Sequence, residues 1–156
     1  MTPSQRGALT SVVGRALTDT EVLAISPLLD PNNRNDTAIA AILSAGRTRY
    51  LPTQIGVGTI LSTLRGVGAG GGVFLDTLMA IGEVDRDIHW TMKLIEAGAL
   101  RIDLPEVREG MQQLAIAAPT VAAGIEALLA LSAMPDPLDV ASVSAALNIA
   151  EGRVNL

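Results

Sequence analysis

Punctuation constrains this chain more than any other feature. Proline, glycine or a capping residue interrupts it at short intervals: Pro3, Thr18, Pro31-Asn32-Asn33, Gly46, Pro52, the glycines of 66–72, Gly82, Gly98, Pro105, Pro119 and Pro135-Asp136-Pro137. Such residues end one element and start the next. Between them, apolar residues recur at helical spacing. Ile39, Ile42 and Leu43 form one set, Val107, Met111 and Leu114 another. Val121, Ile125, Leu128 and Leu129 make the clearest stripe, and Val140, Val143 and Leu147 the last. The pattern predicts an all-α fold, a compact bundle of about seven or eight short helices. It also predicts a single helical domain over 1–156, with 1–34 as an N-terminal helical hairpin of looser packing.

Local signals place the helix ends. Pro3 suits the first turn of a helix running to Leu17. Thr18-Asp19-Thr20-Glu21 reads as a capping box, in which the threonine and glutamate side chains each satisfy the other's backbone N–H. Its helix would run to Leu29. Asn35 or Asp36 caps the next, and Gly46 ends it. Residues 47–51 read as a connector. Thr59–Leu64 is strand-like by propensity, but with no partner strand in view it is read as helix. Val73–Ile81 and a segment capped by Asp85 or Asp87 are helical. In the latter, Ile88, Met92 and Ile95 share a face, Trp90 and Leu94 the adjoining one, and His89, Lys93 and Glu96 a polar stripe. That predicts a mostly buried helix with one wet edge. Asp103 before Pro105 reads as a further cap.

Hydrophobic residues make up 49% of the 156 residues and charged ones 17%, against about 25% in typical soluble domains. The aromatics are only Tyr50, Phe74 and Trp90. A core of small aliphatics follows, with apolar surface left over for contacts. The longest uncharged run, Gly110 to Ile125, is broken by Pro119 and is short for a membrane span. The N-terminus lacks the pattern of a signal peptide, so a soluble, intracellular protein is expected. With no cysteine, disulfide and thiolate chemistry drop out. Net charge is −5, unevenly spread: residues 1–72 carry six bases and four acids, residues 73–156 five bases and twelve acids. Such a dipole favours head-to-tail association.

The run GVGAGGG at 66–72 matches G-x-G-x-x-G through Gly66, Gly68 and Gly71. A dinucleotide cradle also needs a strand before the glycines and βαβ alternation around them. Neither is in view, and Val73-Phe74 stands where a P-loop carries Lys-Ser/Thr. The run therefore reads as a helix–helix joint, with no cofactor expected. His89 is the only histidine and falls on a polar stripe, so it reads as a surface residue and no metal site is expected. Asp85 and Asp87 read as caps; a cleft gathering them with His89 would instead favour a carboxylate enzyme. Arg34, Arg47, Arg49 and Arg65 with Tyr50 form the one basic neighbourhood. The acidic balance and scarce aromatics oppose nucleic-acid binding. Arg47, Arg49, Tyr50 and Arg65 read instead as protein-contact residues, since arginine and tyrosine are enriched in hot spots.

Three stretches, AAILSAGRTRYLPTQIGVGTIL (40–61), LRIDLPEVREGMQQLA (100–115) and MPDPLDVASVSAALN (134–148), give the chain a general look. In them it resembles small proteins of tailed-phage genomes. The resemblance implies a virion component or assembly factor, in the virion or host cytoplasm, whose partners are itself or other phage structural proteins. It implies no catalytic residues. A non-enzymatic structural or assembly protein is thus the expectation, ahead of a phage adaptor or inhibitor acting on a host protein, and of a carboxylate-dependent enzyme.

Overall fold

The structure, a computed structural model, describes residues 1–153. It is all-α. Nine helices occur among the described residues: α1 (Pro3–Val13), α2 (Asp19–Ile25), α3 (Asp36–Ser44), α4 (Val57–Gly66), α5 (Gly71–Gly82), α6 (Arg86–Glu96), α7 (Pro105–Ala117), α8 (Pro119–Ala130) and α9 (Val140–Ala150). A 3-10 turn, Ser26–Leu29, follows α2. Among the described residues four short strands, β1 (Thr48–Tyr50), β2 (Gln54–Ile55), β3 (Leu100–Arg101) and β4 (Ala133–Pro135), form two two-stranded sheets. β1 pairs with β4, and β2 runs antiparallel to β3 with Ile55 opposite Leu100.

The chain gathers into two compact units. The first holds Met1–Thr48 and the chain from Pro135 on; the second is Arg49–Met134. Each has its own hydrophobic cluster. In the first unit α1 and α3 pack on α9. Leu9, Ile25, Ile39 and Leu43 meet Val143 and Leu147 there. Leu9, Val13, Leu17, Ile25 and Leu29, all from the first 34 residues, lie in this core. In the second unit α4 packs on α5 and α8, α5 on α6, and α7 on α8. Ile60, Leu64, Phe74, Leu78, Ile125 and Leu128 form the centre of its core.

The capping box at Thr18 forms as expected, with Thr18 Oγ1 accepting from Glu21 N–H at 3.2 Å and Glu21 accepting from Thr18 N–H at 2.8 Å. A second box, Thr2 with Gln5, opens α1 through the same reciprocal pattern, with glutamine in place of glutamate. α1 stops at Val13, short of the expected Leu17, because Gly14 turns left-handed at φ 77°. Thr59–Leu64 is helical, within α4. Residues 48–50, expected as connector, are a strand whose partner, β4, lies far along the chain.

Two expectations need correcting. Asp103 does not cap α7; Leu104 holds that position with no side-chain cap. Asp103 instead accepts from Thr53 N–H at 2.9 Å and from Arg101 Nε at 2.7 Å, a long-range tie that locks β2 to β3. And α6 is not mostly buried. Met92 and Ile95 are buried, but Trp90 is 58% exposed and Leu94 is exposed too. Only α5 packs closely along it, so the apolar wheel has more faces than neighbours.

The glycine run joins two helices. α4 occupies the place where a nucleotide fingerprint needs a strand. Gly68 has φ 72°, a conformation that favours glycine, and it reverses the chain. A Cβ on Gly71 would sit 3.1 Å from Leu61 Cα, so its absence lets α5 start against α4. The charge imbalance between the two sequence halves is not repeated between the two units. The first unit holds five bases and seven acids, the second six and nine, because the acidic C-terminal segment folds back with the N-terminal helices.

Candidate functional site

Most of the arginines and their carboxylate partners are structural ties. In the first unit Arg34 is nearly enclosed. Its Nε donates to Asp36 Oδ1 at 2.7 Å and its Nη2 to Asp36 Oδ2 at 3.0 Å, a bidentate pair. Nη1 donates to Glu151 Oε2 at 2.9 Å and Nη2 to Asn148 Oδ1 at 2.7 Å. Gln5 Nε2 donates to the other oxygen of Glu151 at 2.9 Å. Helices α1, α3 and α9 are thus tied through one guanidinium and one carboxylate. No sequence signal announces this cluster, since Arg34 and Glu151 lie 117 residues apart.

Burial pushes the Asp36 carboxyl up, but hydrogen bonds from Arg34 and Ser144 outweigh it and hold the group below its usual range. Glu21, hydrogen-bonded by Arg15 and by the Thr18 N–H, is lowered to about 2. Asp103 is lowered as well, first by Arg101. A depressed carboxyl stabilises the fold above its unfolded value and loses that contribution as pH falls through its folded one. The unfolded values are 3.8 for aspartate and 4.5 for glutamate. The melting temperature should therefore hold from neutrality down to about pH 5, then fall steadily toward about pH 2. A thermal melt that stayed level across the acid range would show that these ties contribute no net stability.

The four predicted contact residues differ in their surroundings. Arg47, in the first unit, is engaged internally: Nη2 pairs with Asp136 Oδ2 at 2.9 Å and Nη1 donates to the Val13 carbonyl at 3.1 Å. Tyr50, in the second, is half-exposed, and the Arg108 guanidinium lies 3.7 Å from its ring centroid. Arg108 in turn donates to the Leu129 carbonyl at 3.0 Å and to buried Ser132 at 2.8 Å. Arg49 and Arg65 are exposed and enter no ion pair among the described residues.

A concave feature that the sequence did not disclose lies in the second unit. α6 rests on α5 and α7 on α8, with no comparable packing between α6 and α7. A cleft of about 470 Å³ opens there. Leu78, Ile88, Ile95, Val107, Met111 and Leu114 supply its apolar lining. Asp85, Asp87 and Glu106 supply carboxylates, with Thr91 and Gln113 as the other polar side chains. Asp85 caps α6, its Oδ1 accepting from the N–H groups of Asp87 at 2.9 Å and Ile88 at 3.2 Å. The paired aspartates thus sit on a cleft, whereas His89 faces a separate, smaller depression with Met79, Gly82 and Glu83. The sequence carried the aspartates but not the cleft, because the gap exists only where two helices pack on different partners.

Chemically, the cleft offers an apolar bed with anionic groups. That arrangement suits an apolar surface carrying a cation better than it suits an anion. No helix among the described residues is long and apolar enough to cross a membrane. Comparison with family models, with curated proteins and with solved structures finds no match to this chain.

Proposed function

We propose that the protein is a non-enzymatic structural or assembly component that works through protein–protein contacts, foremost with copies of itself, of the kind tailed phages encode. One observation carries the reading: the second unit leaves large apolar side chains exposed in helical register. Val57 and Leu61 are four apart on α4, as are Trp90 and Leu94 on α6. Val73, Val84 and Ile116 are exposed even further, Val84 at 90%. Single exposed aliphatics are ordinary, but sets ordered along a helix mark contact surfaces. The polar groups support the same reading, since Arg34, Arg47, Arg101 and Arg108 hold the chain's own fold together.

Sedimentation velocity over a range of protein concentrations tests it. The expected result is a mass that rises with concentration and falls with added salt, because exposed charges flanking an apolar contact are screened within about a nanometre. A strictly monomeric chain at high concentration and low salt would overturn self-association.

A further inference from the structure

α4 has two faces. Ile60 and Leu64 are fully buried in the second unit's core. Val57, Leu61 and Arg65 follow at i, i+4 and i+8 and all three keep exposed surface, although Leu61 also lies against Gly71 at the start of α5. They make a short apolar stripe ending in a cation that enters no ion pair among the described residues. The cleft between α6 and α7 has the converse character: Leu78, Ile95 and Met111 in its lining, and Asp85, Asp87 and Glu106 as its charges. Arg86, between the two aspartates in sequence, is not part of its lining.

α4 cannot fill the cleft of its own chain. It packs on α5 and α8, and moving away would expose the fully buried Ile60 and Leu64 to water. We infer that the cleft of one copy receives the Val57–Leu61–Arg65 stripe of a second copy, with Arg65 set against the carboxylates of Asp87 and Glu106. Val57 and Leu61 cover the apolar lining, and Arg65 fixes the direction in which the stripe lies. The two surfaces are different patches of one molecule, so the contact is heterologous. Each copy offers a stripe to one neighbour and a cleft to the next, and the association closes into a ring or continues as a filament. This rests on the self-association proposed above and names the surfaces that carry it.

Charge reversal with rescue tests the inference. Arg65→Glu disables the stripe, and Asp87→Lys with Glu106→Lys disables the cleft while Asp85 still caps α6. The residues are exposed, and circular dichroism with Trp90 fluorescence verifies that each variant is folded. Each variant alone should weaken self-association on the order of tenfold or more, because like charges face each other. Mixing the two should restore a complex, since the first retains an intact cleft and the second an intact stripe. A chain carrying all three changes should also recover association. Wild type that associates while the folded variants associate equally well would overturn this interface and leave self-association standing. Failure of both the mixture and the triple variant to recover association would overturn the interface in the same way. A monomeric wild type would overturn both and leave the cleft to a different, cationic partner.

Discussion

Arg34→Ala should destabilise the first unit by about 3–5 kcal/mol, the usual cost of removing one partner from a buried ion pair. Asp36 would lose its bidentate partner, Glu151 would be left with Arg153 at 3.2 Å as its cation, and Asn148 would lose a donor. The side chain of Arg34 is only 9% exposed, with Asp36 at 17% and Glu151 at 14%, so water cannot readily take its place. Replacing the whole cluster should be milder than breaking it. Arg34→Met together with Asp36→Leu and Glu151→Leu removes the charges that need compensation, and such exchanges are often neutral or stabilising. Urea unfolding followed by far-ultraviolet circular dichroism measures this. Trp90 lies in the second unit, so its fluorescence reports the other half of the chain. A wild-type midpoint in the Arg34→Ala variant would show that the cluster only orients α1, α3 and α9. A triple variant less stable than the single one would show that the pairing itself is strongly net favourable.

Gly124→Ala should destabilise the second unit by about 1–3 kcal/mol, the typical cost of overpacking. Gly124 lies inside α8, where alanine by propensity would gain about 1 kcal/mol. Sterics reverse the sign. The new Cβ would stand 2.7 Å from Phe74 Cδ2 and 2.9 Å from Cε2, with Leu64 Cδ2 at 3.4 Å. Phe74 is buried in the core of the second unit, where a well-packed ring has little room to move aside. Phe74→Leu alone should also destabilise, through the space it leaves. Combined, the two should cost less than their sum, because each relieves the other, with a coupling of about 1 kcal/mol. Additive costs in chemical denaturation would mean that the ring shifts freely and that the contact is loose. A Gly124→Ala variant more stable than wild type would show that propensity outweighs the contact.

Much of the fold was legible locally. The Thr18–Glu21 box, the Asn35 cap of α3, the Asp85 cap of α6 and the inward set Val121, Ile125, Leu128 and Leu129 all follow from residues a few positions apart. Each depends on one turn of backbone, and so does the left-handed turn at Gly68 that makes the glycine run a joint. Other features depended on which segments meet. The strand at 48–50 needed β4, Asp103 was drawn from capping to Thr53 and Arg101, and Arg34 needed Glu151 from the far end of the chain. Trp90 and Leu94 sat on the apolar side of a wheel, yet only α5 packs closely on α6, so they face solvent. The candidate site divides the same way. Asp85, Asp87 and Arg65 stood out by type and place, while Glu106, Met111 and the gap between α6 and α7 did not. By itself the sequence determined where helices start and stop, because caps, prolines and glycines act within a turn. Tertiary structure alone decided that two cores form, which arginines are enclosed, and that a cleft stands open, because those outcomes depend on packing between distant segments.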